Sequence, residues 1–257
     1  MERYTWHIMG LCEVRLKNSG MHLTDEGHVL KYSGEPDKRI NGVGFLVNKK
    51  GKNSVMGYCP TSSRPINIRL RATPFNITLI QAYAPTTDYD DDRVEEFYNQ
   101  LQDIIDGVDR KDVLIIQGDW IAKVGIDVWR DWKKFCGPSC NAHTNERGLR
   151  LLEFTSYNDM VLANTIGKHK ASQRYTWHAP NGKHHNQIDY ILVQNRFRSG
   201  TRTAATRTFP GADVGSDHDL VIMNFKVKLK IITKPKYSRL KFNLDKLKDP
   251  SISETFK

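Results

Sequence analysis

Runs of apolar residues broken by turn signals set the framework of this chain. Residues 113–125, VLIIQGDWIAKVG, open with β-branched and apolar side chains that read as a buried strand stopping at Gly118-Asp119. NITLIQAY (76–83) is a second buried strand, closed by Ala84-Pro85 because proline cannot extend a ladder. NGVGFLVN (41–48) reads as a strand, and INIRL (66–70) alternates as a half-buried one does. TWHIMGLCEV (5–14) reads as a helix end running into a strand that delivers Glu13, and residues 15–34 as a loop with short turns. Between 91 and 108 the period changes. Val94, Phe97, Leu101, Ile104, Ile105 and Val108 recur at three- and four-residue steps, which predicts an amphipathic helix. Asp90, Asp91 and Asp92 stand at its start, where carboxylates cap free N–H groups.

A second helix is expected near 146–158, then strands at MVLAN (160–164), on both sides of an Asn181-Gly182 turn, and at DLVIMNFKV (219–227). Two packed mixed β-sheets flanked by helices satisfy this order of elements. The pattern defines one domain over 1–227. From Lys228 the composition turns Lys-rich and reads as a basic tail or linker.

Composition narrows the partners. The chain has 257 residues, 39% of them hydrophobic, enough for a sizeable core. Lys and Arg number 39 against 29 acidic residues, a formal charge of +10 that favours polyanions, nucleic acid above all. No apolar run approaches membrane-spanning length and the N-terminus lacks a signal-peptide pattern, so an intracellular site, nuclear or cytoplasmic, is expected. Cys136 and Cys140 form a CGPSC pair without the second pair or histidine spacing of a zinc site; with Cys12 and Cys59 they read as free thiols.

Four strand ends present groups able to do chemistry: Glu13, Tyr83, Asp119 and Asp189. A fifth element, Gly215-Ser216-Asp217-His218-Asp219, sets an Asp-His pair just before a strand. Each alone has a plain structural explanation. Together, carboxylates and a histidine at successive strand ends point to a site.

GLCEVR, QAYAP, IIQGDWIAKVG, TWHAPNGKHHNQIDYIL and GSDHDLV, in that order, resemble the endonuclease/exonuclease/phosphatase superfamily, which includes abasic-site endonucleases and pancreatic-type deoxyribonuclease. Within it the likeness is to the endonuclease domain of RTE/BovB-type non-LTR retrotransposons, and the tail resembles the segment leading to a reverse transcriptase. The resemblance implies a four-layered α/β sandwich, Mg²⁺ as cofactor with Mn²⁺ as substitute, DNA as partner, and a downstream reverse transcriptase in the parent element. Glu13 and Asp217 would be the metal residues. His218 would bind the scissile phosphate with Asp189 fixing its ring, Asp119 would activate water, and Tyr83 would donate to a phosphate oxygen.

The chain departs from that pattern twice. Ile121 stands where the family's Gly-Asp-x-Asn has Asn, so a weakened site is expected. A preceding strand bearing another Asn is also expected in the family, and the chain as given starts without it. Two alternatives follow: a catalytically inactive basic nucleic-acid-binding or interaction module, and a phosphatase acting on a small phosphate ester or phospholipid.

Overall fold

The computed structural model describes residues 5–201, 205–209 and 215–227; the expected tail over 228–257 lies outside them. Strands β1 (Ile8–Cys12), β2 (Ser19–Leu23), β3 (Val29–Ser33) and β4 (Val43–Val47) form an antiparallel sheet in the order β1-β4-β3-β2. The chain then builds β5 (Val55–Pro60), β6 (Pro65–Leu70) and β7 (Ile77–Tyr83), crosses through helix α1 (Asp91–Asp106), and returns as β8 (Val113–Asp119). Helices α2 (Trp129–Trp132) and α3 (Glu146–Tyr157), strand β9 (Met160–Leu162) and helix α4 (Ala163–Ile166) follow. The hairpin β10 (Trp177–His178) and β11 (His185–Asn186) precedes β12 (Asp189–Gln194); β13 (Arg207–Phe209) pairs with β14 (Leu220–Ile222). The second large sheet is mixed, ordered β5-β6-β7-β8-β12-β9, with β7 and β8 parallel.

Strand alternation divides the interior into two cores. Leu79, Val113, Ile115, Ile191 and Val193 face Val43, Phe45 and Val47 of the four-stranded sheet. Their neighbours Ile80, Leu114, Ile116, Tyr190 and Leu192 face the helices. A one-residue slip in β7 or β8 would exchange these sets, so the register is strongly fixed. Each such side chain, fully buried, contributes roughly 1.5–3 kcal/mol. Where β1 crosses the second sheet Gly10 leaves room for Gln81: a Cβ there would lie 1.6 Å from Gln81 Oε1. Gln81 in turn donates to Cys12 Sγ at 3.1 Å and accepts from Gln117.

Helix α1 begins as its acidic start predicts: the Asp90 carboxylate accepts from Arg93 N at 3.0 Å, with Asp91 and Asp92 in the first turn. It buries Val94, Phe97, Tyr98, Leu101 and Ile104. Helix α3 is capped by the Asn145 side chain accepting from Gly148 N, and Arg150 forks onto Glu95 of α1 at 2.6 and 2.7 Å. Between the helices Phe97, Tyr98 and Phe154 surround Trp120, whose indole donates to Tyr190 O at 3.1 Å.

The expected sandwich of packed sheets flanked by helices is thus present, with five local differences. Residues 15–34 form the β2–β3 hairpin rather than a loop. The turn needs Gly27 at φ 84°, and the exposed edge strand SGMHL carries no apolar alternation to reveal it. Residues 5–7 hold no helix; the segment enters β1 directly. Strand β5 went unread because Gly57 and a register shift between Val55 and Gly57 interrupt it. MVLAN is β9 only to Leu162 before α4 begins, and of DLVIMNFKV only Leu220–Ile222 is strand, with Phe225 making a single bridge to Thr201.

Candidate active site

Strand register assembles the site. Tyr83 and Asp119 are partners across the parallel β7–β8 pair, and Asp119 and Asp189 are partners across the antiparallel β8–β12 pair. Three of the sequence-predicted residues therefore stand abreast at one end of the six-stranded sheet. The adjoining turn is fixed by sequence: Gly118 passes so close to β7 that a Cβ would lie 1.9 Å from Ala82 O, and buried Trp120 anchors the far side.

His218 arrives from a different segment. Its Nδ1 is 3.0 Å from Asp189 Oδ2 and its Nε2 is 3.9 Å from Asp119 Oδ2. Asp119 Oδ1 is already engaged by Ile121 N–H at 3.1 Å, so Oδ2 is the oxygen turned to the imidazole. At 3.9 Å the pair is too far apart for a hydrogen bond, but a third atom about 2.8 Å from each fits as the apex of a triangle.

The electrostatics are unusual for carboxylates. Burial first, then the charge of Asp189, pushes Asp119 up to about 8, against the opposing influence of His218 and the Ile121 N–H. For His218 burial disfavours the charged ring. The hydrogen bond and charge of Asp189, with Asp119 and Asp217, outweigh it and raise His218 to about 9.

Glu13 sits at the end of β1 in the left-handed region, φ 52°. Its carboxylate accepts from Arg15 and from the Tyr83 hydroxyl at 3.1 Å, and the Arg15 hydrogen bond is the main reason its acidity is strengthened. The charge of Asp217 opposes that effect weakly. Asp217 Oδ2 also accepts from Trp177 Nε1 at 2.9 Å.

Ligand atoms of Asp119, Asp189 and His218 lie within 4.8 Å of one another, an arrangement able to take a metal ion. The wider set suits a hard divalent cation. Asp189 and, more weakly, Glu13 raise Asp119, while Arg15 holds Glu13 low.

Sequence reading missed the parts that hold these groups. Buried Asn164 clamps β12 on both sides of Tyr190, donating to Asp189 O at 3.0 Å and accepting from Ile191 N at 3.1 Å. Thr176 Oγ1 accepts from Ile188 N and Asp189 N. Trp177 bridges to His218 and bonds Asp217. Arg64 lies over the rings of Tyr83 and Tyr89 and donates to Ala84 O at 2.9 Å. Only Trp177, inside the TWH run before a turn, carried any local signal.

Ile121 occupies the left-handed region at φ 49°. A β-branched residue is strained there, whereas Asn visits that region readily. The backbone at Ile121 thus holds a conformation better suited to Asn than to a β-branched residue.

Among known proteins, the model of the Endonuclease/Exonuclease/phosphatase family matches residues 1–218. Craniofacial development protein 2 of Bos taurus is 40% identical over 234 residues, and that of Tragulus javanicus 39% identical over the same length. Each alignment covers 91% of this chain but only 38% and 40% of those proteins, so the chain spans about two fifths of the curated relatives it matches. Two solved structures share the fold. The AP endonuclease LMAP from Leishmania major has a TM-score of 0.58 at 15% identity, covering 85% of this chain and 78% of that one. The endonuclease domain of TRAS1, a telomere-specific non-LTR retrotransposon, has a TM-score of 0.55 at 14% identity, covering 78% and 81%. The chain belongs to the endonuclease/exonuclease/phosphatase family.

Proposed function

We propose that the chain is a divalent-cation-dependent DNA endonuclease domain of non-LTR retrotransposon type, slowed by Ile121. The observation that carries this reading is the facing pair Asp119 Oδ2 and His218 Nε2, 3.9 Å apart, with Asp189 behind the imidazole. Hydrolysis of a phosphodiester needs a base for water and a donor where negative charge grows. In this reading the free oxygen of Asp119 orients the attacking water and accepts its proton. Protonated His218, its ring held by Asp189, donates to a non-bridging phosphate oxygen. The Tyr83 hydroxyl, which donates to Glu13 in this structure, would turn to a second phosphate oxygen once a cation holds Glu13.

Glu13 and Asp217 would hold the cation, Mg²⁺ by the oxygen character of the donors. When bound it neutralises phosphate charge and draws Asp119 down toward the ionised form. Ile121 offers no amide to water or phosphate, and losing one such preorganised group costs about 10²–10³ in rate. The +10 charge supports DNA as substrate. TRAS1, with its shared fold, supports the retrotransposon origin by analogy alone.

Ile121 also favours a second reading, an inactive module that binds nucleic acid through its charge. The test is incubation with supercoiled plasmid in Mg²⁺ or in chelator. Slow nicking that chelator and Asp119→Ala each abolish is expected. Salt-sensitive DNA binding with no nicking would overturn the enzymatic reading, and phosphate release from phosphomonoesters without nicking would redirect it.

A further inference from the structure

Beside the catalytic segment lies a second cluster that the mechanism does not use. His178 and His185 are direct cross-strand partners in the β10–β11 hairpin. Their Nδ1 atoms face one another at 2.6 Å, with ring planes 70° apart. On the opposite edge of its ring, His178 Nε2 lies 2.7 Å from Asp219 Oδ2.

Two imidazole nitrogens pointed at one place need something positive between them: a single shared proton, or a cation. The Asp219 contact bears on which. A carboxylate accepting from Nε2–H fixes the tautomer that leaves the His178 Nδ1 lone pair free and directed at His185, and it makes that nitrogen a better donor. This is the carboxylate–histidine arrangement that supports metal-bound histidines. His185 is exposed and His178 about two thirds covered, so an ion could enter and keep water on its remaining positions. Binding at the usual Zn–N length of about 2.0–2.1 Å would set the nitrogens about 2.9–3.4 Å apart, a small outward rotation of the exposed His185 ring.

We propose that His178 and His185 form a two-imidazole site for a borderline transition-metal ion, of the zinc, nickel or copper class, with Asp219 orienting His178. Nitrogen donors distinguish it from the carboxylate region that suits Mg²⁺. Three hydrogen bonds tie it to the catalytic segment: His178 N donates to Asp217 O and Asp219 N donates to Thr176 O, which together make the Trp177–His218 bridge, and Trp177 Nε1 donates to Asp217 Oδ2. An ion seated on the hairpin would therefore brace the segment before β14 that holds Asp217 and His218.

The test uses the full chain in Mg²⁺-free, chelator-stripped buffer. Cu²⁺ is titrated with electron paramagnetic resonance to count coordinating nitrogens, and Zn²⁺ is titrated by calorimetry. Wild type should show a site with two imidazole nitrogens. His178→Ala and His185→Ala should each weaken Zn²⁺ at that site at least tenfold and remove the two-nitrogen signal. Asp219→Ala should weaken it about tenfold, as loss of a supporting carboxylate does. His218→Ala, outside the pair, should leave it unchanged. Circular dichroism checks that the variants fold, and His185→Asn, on the exposed strand, is a milder second variant. A two-nitrogen signal that survives His178→Ala or His185→Asn, or one lost in His218→Ala, would overturn the proposal; so would wild type binding no better than a variant carrying both His178→Ala and His185→Ala.

Discussion

Asp119 and Asp189 stand opposite one another on antiparallel β8 and β12, and the charge of Asp189 adds to burial in raising Asp119. His218, bonded to Asp189 and facing Asp119, supplies part of the missing positive charge.

A stability–pH relationship follows, with both groups acting in the same direction. His218 is raised from 6.5 to about 9, so its favourable interactions are complete below 6.5 and are lost as pH rises through about 9. Asp119 is raised from 3.8 to about 8, so the unfolded chain releases that proton first and stability falls as pH climbs between those values. In metal-free buffer the melting temperature should therefore decline steadily from pH 6.5 to 9. His218→Ala and Asp119→Asn should each flatten the decline, and Mg²⁺ should reduce it. Differential scanning calorimetry across that range checks this; a melting temperature that rises with pH would contradict it.

Ile121 yields a conformational prediction. A left-handed β-branched residue costs roughly 1–2 kcal/mol relative to a residue at ease there. Its side chain also packs against the helix-side core, and removing that contact has a similar cost. Ile121→Asn should therefore change unfolding free energy by no more than about 1 kcal/mol, where a half-buried Ile→Asn with ordinary φ would lose about 1–2 kcal/mol. Urea denaturation measures it. A loss above about 1 kcal/mol would mean the φ strain is not being relieved.

Gly118 allows no such exchange. A Cβ 1.9 Å from Ala82 O must push β7 and β8 apart where Tyr83 and Asp119 are paired. Gly118→Ala should lose about 1–3 kcal/mol or more and any catalytic activity with it. Unfolding that matches wild type would contradict this account of the turn.

The sequence made the framework legible where one physical signal ruled. β7, β8 and α1 emerged with bounds near those observed because full burial on both faces, or strict helical period, leaves few readings. The β2–β3 hairpin did not, because Met21 and Leu23 stay exposed on an edge strand and mimic no core pattern. At the site, Glu13, Tyr83, Asp119, Asp189, Asp217 and His218 were each nameable from strand ends and the Ser-Asp-His run. Asn164 and Thr176 were not, since a buried Asn or Thr that bonds backbone has no signature until its partner strand is in place. Nor could the sequence show that Ile121 keeps an asparagine's backbone.

The most direct measurement is the Mg²⁺-dependent rate of plasmid nicking by the chain as given and by Ile121→Asn, with Asp119→Ala and His218→Ala placed in the faster background. The account predicts nicking about 10²–10³-fold faster in Ile121→Asn, abolished by either further substitution. Folded Ile121→Asn protein that nicks no faster than the Asp119→Ala control would contradict it.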